Sequence, residues 1–505
     1  MSDDTTRTRV VVVGSGFAGL GAGIRLKQAD IHDFVILEAG SEVGGTWRDN
    51  TYPGAACDIP SHLYSFSFEP RADWSRAYSP QDEIQSYLVH CADRYGLRDH
   101  LFLDTAVDSA VYDEDEACWT LTTADGRRFV ADAVISGIGS LREPSYPDID
   151  GRDTFAGPTM HTARWDHDVD LTGKRIGVVG TGASAIQVVP NIAEAADQTV
   201  LFQRTPPWIL PRNDFAYPAV VKAAFKRLPF LRSAHRRRIY WQKELRYVAF
   251  GPHGAPLRRI VETAARAYLR AVVRDPELRE TLTPDYELGC KRILISDDYL
   301  PALTRDDVRV CTDGVAEITP TGVVTGDGEA VDLDVLVFAT GFDVRNVLGR
   351  FTVTGRDGKD LDTAWGEFPV AYLGTTVPDF PNLFVLTGPN TGLGHNSMVF
   401  MIESQLNYVM GAVDRIVNGD VAELDVQHDA LDEFAAEVRR RHTDTVWASG
   451  CESWYLGDNG ENWTLWPAST AEFRLRTARF DPKPYRVATR AELAERRSSR
   501  SGADA

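Results

Sequence analysis

Four consecutive valines, Val10–Val13, run into Gly14-Ser15-Gly16-Phe17-Ala18-Gly19; a helix-like stretch follows to about Lys27, and the apolar run Phe34–Leu37 ends at Glu38. No other feature limits the fold as tightly. Strand, glycine turn, helix and strand make a βαβ unit whose helix N-terminus aims free N–H groups at a pyrophosphate. The 24 positions from Gly14 to Glu38 put an acid where it can accept hydrogen bonds from ribose hydroxyls, which separates this turn from a merely structural one. The order then recurs as Arg175–Val179, Gly180-Thr181-Gly182-Ala183-Ser184-Ala185 and the strand 199–203. Arg204 stands 24 positions after Gly180, where the first unit has its acid. A guanidinium there, with Thr205 beside it, fits a 2′-phosphate, so the second nucleotide is expected to be NADPH rather than NADH.

A chain of 505 residues is longer than one hydrophobic core supports, so more than one domain is expected. The segment 131–139 reads as a strand returning to the first sheet, and 333–339 as a strand closing the second unit. The fold class is therefore α/β, with two Rossmann-like dinucleotide-binding domains, one inserted into the other. The first domain takes 1–150 and 336–489, and the insert takes 151–335, with a helical subdomain at about 217–282. The tail 490–505, charged and rich in serine, is expected to be disordered.

The net charge of −19 disfavours nucleic acid as a partner, because phosphate attraction needs a basic face. No apolar run reaches the length of a membrane span, and the polar start Met1–Arg9 reads as carrying no signal peptide. The helical subdomain is basic, with Lys222, Arg236, Arg237, Arg238 and Lys243. Such a face can lie on an anionic membrane, but a solvated surface is the commoner outcome and the expectation here. The cysteines Cys57, Cys91, Cys118, Cys290, Cys311 and Cys451 are scattered, without metal-like spacing. They read as reduced thiols of a cytoplasmic protein that holds no metal.

Two longer strings carry a family resemblance. Phe155 to Asp166 matches FxGxxxHxxxWD through Phe155, Gly157, His161, Trp165 and Asp166, and Gly44 to Asp58 matches GGxWxxxxYPGxxxD through Gly44, Gly45, Trp47, Tyr52, Pro53, Gly54 and Asp58. The chain thereby resembles the type I Baeyer-Villiger monooxygenases from its first strand to about Asp458. That resemblance implies FAD on the first nucleotide fold and NADPH on the second. It implies insertion of one oxygen atom of O2 beside a ketone carbonyl, through a C4a-peroxyflavin, to give an ester or lactone. It carries Arg292 over as the cation that stabilises the peroxide and the tetrahedral adduct, with Asp58 orienting it. Lys291 joins Arg204 and Thr205 on the 2′-phosphate. Thr46, Trp47, Tyr64, Val107 and Met398 fall to the flavin, and Trp454, in Cys451-Glu452-Ser453-Trp454-Tyr455, resembles the tryptophan of the family's mobile lid. His161 is tempting as a general base, but the resemblance gives it a part in domain movement. The stretch Asn459 to Pro467 departs from well-known members, so the ketone does not carry over.

A flavin-containing monooxygenase acting on nitrogen or sulfur is the alternative, set apart by Trp165 and by the Asp58–Arg292 pair. A non-catalytic flavoprotein that senses NADPH is a remoter one. A flavin disulfide reductase is disfavoured, because no cysteine pair lies together on one loop. Oligomeric state is left open.

Overall fold

Strand β1 (Thr5–Val13) leads through the first glycine turn into helix α1 (Phe17–Gln28) and strand β2 (Phe34–Leu37). In this computed structural model, which describes residues 5–344, 351–366, 368–451, 453–457 and 459–501, Val10–Val13 are buried on both faces of the sheet. Val10 and Val12 pack in the core that holds α1 and the helix Met398–Val417, and Val11 and Val13 in the core of Trp119, Leu121 and Trp463. Covering both faces is why this strand is continuously apolar instead of alternating.

After the short helix α2 (Thr46–Asp49) and α3 (Gln81–Arg94) come β3 (Leu101–Phe102), β4 (Val107–Asp113), β5 (Cys118–Thr123) and β6 (Arg128–Ser136). These strands are ordered β4-β5-β6-β1-β2-β3. Residues 128–131 of β6 pair antiparallel with β5, whereas its end, Val134–Ser136, pairs in parallel with Leu383–Val385.

The second sheet is parallel throughout. Its strands β7 (Thr159–His161), β8 (Arg175–Val179) and β9 (Gln198–Phe202), with helix α4 (Ala185–Ile192) after β8, are joined by Val308–Cys311 at the β9 edge and by Val335–Phe338 between β8 and β7. The helices α5 (Ala219–Arg227), α6 (Pro229–Glu244) and α7 (Ala255–Val272) follow β9 in the chain. The chain then returns to the first sheet through Thr352–Thr354, beside β4, and through Leu383–Val385. One nucleotide fold is thus completed only after the other.

Over 490–501 the tail corrects one expectation, since Arg490–Ser501 is a helix and not a disordered segment, while 502–505 lie outside the described residues. Leu493 is buried, Arg496 donates to Glu423 at 2.6 Å, and Arg497 pairs with Glu116 at 3.0 Å. Its charges find carboxylates distant in sequence, which composition could not show. No helix among the described residues is long and apolar enough to cross a membrane.

Candidate active site

The first glycine turn is closed by contact. Gly14 has φ +90°, and a Cβ on Gly19 would stand 1.8 Å from the Gly14 carbonyl oxygen, so α1 can pack this close to the turn only as glycine. Gly16 faces open space instead, with nothing nearer than 3.8 Å to an added Cβ. Phe17 and Ala18 open the helix. Glu38 is buried at the end of β2 and accepts from Ser15 N (2.8 Å), Ser15 Oγ (2.6 Å), Gly40 N (2.7 Å) and Arg48 Nη1 (2.7 Å). Burial alone would raise its pKa, but Arg48 and these donors outweigh it and hold the carboxyl below the usual range. Arg48, an unspecified position of the GGxW motif, carries no signal in the sequence. Thr105 N donates to the Glu38 carbonyl at 2.7 Å, which brings the strand that Val107 opens alongside.

Thr46 and Trp47 begin α2, and the Trp47 indole donates to the Tyr64 hydroxyl at 3.1 Å. Trp47, Tyr64 and Met398 are half-buried against the same core. Met398 is the first residue of the helix Met398–Val417, directly after the loop from Gly388.

The second turn is more open. An added Cβ on Gly182 would meet nothing within 4 Å. Ala183 and Ser184 lead into α4, which Ala185 begins. Thr181 Oγ1 donates to the Thr205 carbonyl at 2.9 Å, tying the turn to the segment after β9, while Arg204 is exposed. Ile209–Leu210 then pairs in parallel with Leu294–Ile295, so the segment after Arg204 and the loop Lys291–Arg292 run side by side. The Lys291 ammonium stands 4.9 Å from the Tyr286 ring centre.

Asp58 and Arg292 meet across these two regions. The guanidinium donates to Asp58 Oδ2 from Nη2 and from Nε, the latter at 3.2 Å. About a third of each side chain is exposed, so the pair faces an opening. The Asp58 charge raises the Arg292 pKa still further, and Arg292 outweighs burial in lowering that of Asp58. Lys243 of α6 is a third member that the sequence did not reveal. Burial and Arg246, against the opposing pull of Asp58, bring this buried lysine down to about 8. Tyr455 lies buried beside Arg292, and burial raises its phenol to about 12 although the guanidinium pulls the other way.

Cys290 and Cys451 form a disulfide, 161 residues apart in sequence. The expectation of six reduced thiols is corrected for these two, because the fold brings together loops whose spacing carries no signal. Cys57, Cys91, Cys118 and Cys311 are free and buried.

Against this geometry, a family model described as pyridine nucleotide-disulphide oxidoreductase matches residues 11–229, the part that holds both glycine turns. A Baeyer-Villiger monooxygenase of Pseudomonas aeruginosa is 44% identical over 483 residues, 95% of this chain and 92% of its own. One of Streptomyces coelicolor is 46% identical over 481 residues, with the same coverage. The chain belongs to the Baeyer-Villiger monooxygenases. An oxidized steroid monooxygenase bound to NADP superposes with a TM-score of 0.85 at 32% identity, covering 96% of this chain and 100% of that one. The paired cysteines lie outside residues 11–229 and on separate loops, so the disulphide in the family description has no counterpart in them.

In this Baeyer-Villiger monooxygenase the motif histidine, His161, is fully buried at the end of β7 and accepts from Ala163 N at 3.0 Å. Burial, then Arg164, lowers its pKa to about 4, so at neutral pH it is uncharged. Trp165 packs against the core of the second sheet, and Asp166 accepts from Asp168 N at 3.0 Å to shape the turn. Tyr52 of the other motif donates to Gln187 of α4 at 2.8 Å, and Gln187 donates to Ala56 O at 3.0 Å. The GGxW motif therefore joins the two nucleotide folds.

Glu244, at the end of α6, is another residue that the sequence did not reveal. It is buried and accepts from Asn396 Nδ2 and Thr470 Oγ1, both at 2.6 Å, which ties the helical insert to the loop before Met398. Trp454 is half-exposed, with its ring centre 4.4 Å from that of Tyr455. Asn390 donates to the carbonyls of Asn462 (3.1 Å) and Leu465 (3.2 Å), so the divergent stretch is packed against the loop from Gly388. Glu452 and Asp458 lie outside the described residues. Among the described residues, no cluster of His, Cys, Asp or Glu could hold a metal.

Proposed function

We propose that Asp58 and Arg292 are the orienting carboxylate and the fixed cation of a Baeyer-Villiger oxidation that uses FAD, NADPH and O2 to convert a ketone into an ester or lactone. The chain has room for both nucleotides where the turns require it: Gly16 and Gly182 leave open the space that any side chain would fill, and Glu38 stands at the end of β2. Bound FAD, reduced by NADPH, supplies the activation of O2.

Everything else falls to the chain. Arg292 offers a charge that persists at any working pH and several donors, where oxygen insertion builds negative charge on the former carbonyl oxygen. Asp58 holds the guanidinium in place, and Tyr455 screens its far side from water. Arg204, Thr205 and Lys291 bind the 2′-phosphate. Thr46, Trp47, Tyr64, Val107 and Met398 line the flavin, with Trp454 at the nicotinamide. Residues 1–150 and 336–489 form the FAD unit, and 151–335 the NADPH unit. The observation that carries this reading is the Asp58–Arg292 pair, assembled across 234 residues and left partly open.

The test is NADPH consumption by the FAD-loaded enzyme with linear, cyclic and aromatic ketones, with amines and sulfides in parallel and product masses recorded. A ketone product heavier by one oxygen atom supports the reading. Oxygenated amines or sulfides, with every ketone returned unchanged, refute it.

A further inference from the structure

The helical insert has a charge and a surface that the chemistry does not use. Residues 219–272 hold thirteen Lys and Arg against two acids, Glu244 and Glu262, in a chain whose net charge is −19. Among the described residues, ten of the sixteen exposed large apolar side chains lie between Phe215 and Ile260. A solvated basic helix has no reason to expose apolar groups at this density.

The two features are in register on α6. At about 100° per residue, Phe230, Ala234 and Trp241 fall on one stripe, with Arg237 within it and Arg238 at its flank. Phe230 is 65% and Trp241 50% exposed, and the 3-10 turn after the helix adds Leu245 (65%) and Val248 (54%). Aromatic and aliphatic groups beside a row of arginines are the pattern of a helix that lies in a membrane interface.

Beside this stripe opens a cavity of about 260 Å³, into which Arg71, Arg232, Arg236, Arg237 and Arg474 face, with Glu403 as the one lining carboxylate. Arg236 donates to the His62 carbonyl at 2.6 Å and to Ser65 Oγ at 3.2 Å, and among the described residues no carboxylate pairs with it. The buried Nε of Arg232 has no partner among them, nor has His62 Nε2. Burial, with His235, Arg232 and Arg236 nearby, keeps His62 uncharged. Guanidinium groups held this way have unused donors in the geometry that a phosphate accepts.

We propose that the α6 face docks on an anionic lipid bilayer, with Phe230, Trp241, Leu245 and Val248 entering the interface and a lipid phosphate seated in the arginine cavity. The strongly negative remainder of the chain is repelled by the same surface, so approach is oriented with the insert foremost. No described helix spans a membrane, and the docking is peripheral.

The experiment is sedimentation of the full-length, FAD-loaded enzyme with phosphatidylcholine vesicles and with vesicles enriched in phosphatidylglycerol. Binding to the anionic vesicles alone, weakened by salt, is expected. Trp241→Glu should weaken it roughly tenfold while NADPH oxidation is unchanged. Arg232→Ala and Arg237→Ala should each weaken it about fivefold. Equal binding to both vesicles, or to neither, overturns the proposal. Complete displacement by inorganic phosphate at the same phosphate concentration would assign the cavity to a free anion and also overturns it. So does a dimer in solution that Trp241→Glu dissociates, because a second copy then covers the stripe.

Discussion

The two nucleotide turns share a backbone plan and differ in the residues that come after their second strands. Glu38 is buried and held by four donors before any ligand arrives, whereas Arg204 is exposed and its neighbour Thr205 is tied to the turn by one hydrogen bond. A preformed, desolvated site loses little entropy on binding and releases its ligand slowly, which suits a resident FAD. An open site whose cation projects into water suits a nucleotide that enters and leaves each cycle. The Asp58–Arg292 pair is formed where the two regions meet.

The largest effect is expected from Glu38→Ala. It would remove the acceptor shared by Ser15, Gly40 and Arg48, leaving Arg48 with Asp49 as its remaining carboxylate partner, so FAD content after purification should collapse. Full FAD occupancy in this variant would show that the preformed site is unimportant. Arg292→Ala should do the opposite, keeping FAD while ester formation falls by about 100- to 1000-fold; product analysis at saturating NADPH reads this directly, and near wild-type ester yield would remove Arg292 from the mechanism. Arg204→Ala tests the open site. The KM for NADPH should rise by the equivalent of about 1.5 to 3 kcal/mol, with NADH nearly unaffected, and equal losses with both cofactors would undo the 2′-phosphate assignment.

The smallest effect lies at Lys243, whose folded pKa of about 8 is below that of the unfolded chain. Between the two values the unfolded state binds more protons, so stability rises with pH there, and below pH 8 the native state bears the full cost of a buried charge. Lys243→Met should therefore stabilise the enzyme most below pH 8, with the gain shrinking as pH rises towards the unfolded value. Thermal midpoints across that range decide it, and a gain that grew with pH would contradict the assignment.

The sheets and the turns were legible because each rests on residues within about thirty positions: Val10–Val13 before Gly14, Glu38 after β2, Arg204 after β9; their nesting followed from the order of the two units along the chain. Asp58 and Arg292 were found through motif resemblance, since nothing local to either announces the other. Lys243, Glu244 and Arg48 escaped for the same physical reason. Lys243 and Glu244 are ordinary charged residues on a helix until partners far away in sequence meet them, and Arg48 gains its role only because Glu38, ten positions earlier, is buried. The tail helix escaped likewise, its arginines being satisfied by Glu116 in the turn between β4 and β5 and by Glu423, both distant in sequence.

The Cys290–Cys451 bond joins the loop of Arg292, two residues on, to the loop of Trp454, three residues on. While the bond is intact, neither loop can shift far without pulling on the other. On the chain-entropy account a closure of this length also disfavours the unfolded state by about 5 kcal/mol. The loop of the proposed cation and the loop of the proposed lid tryptophan are thereby tethered to one another.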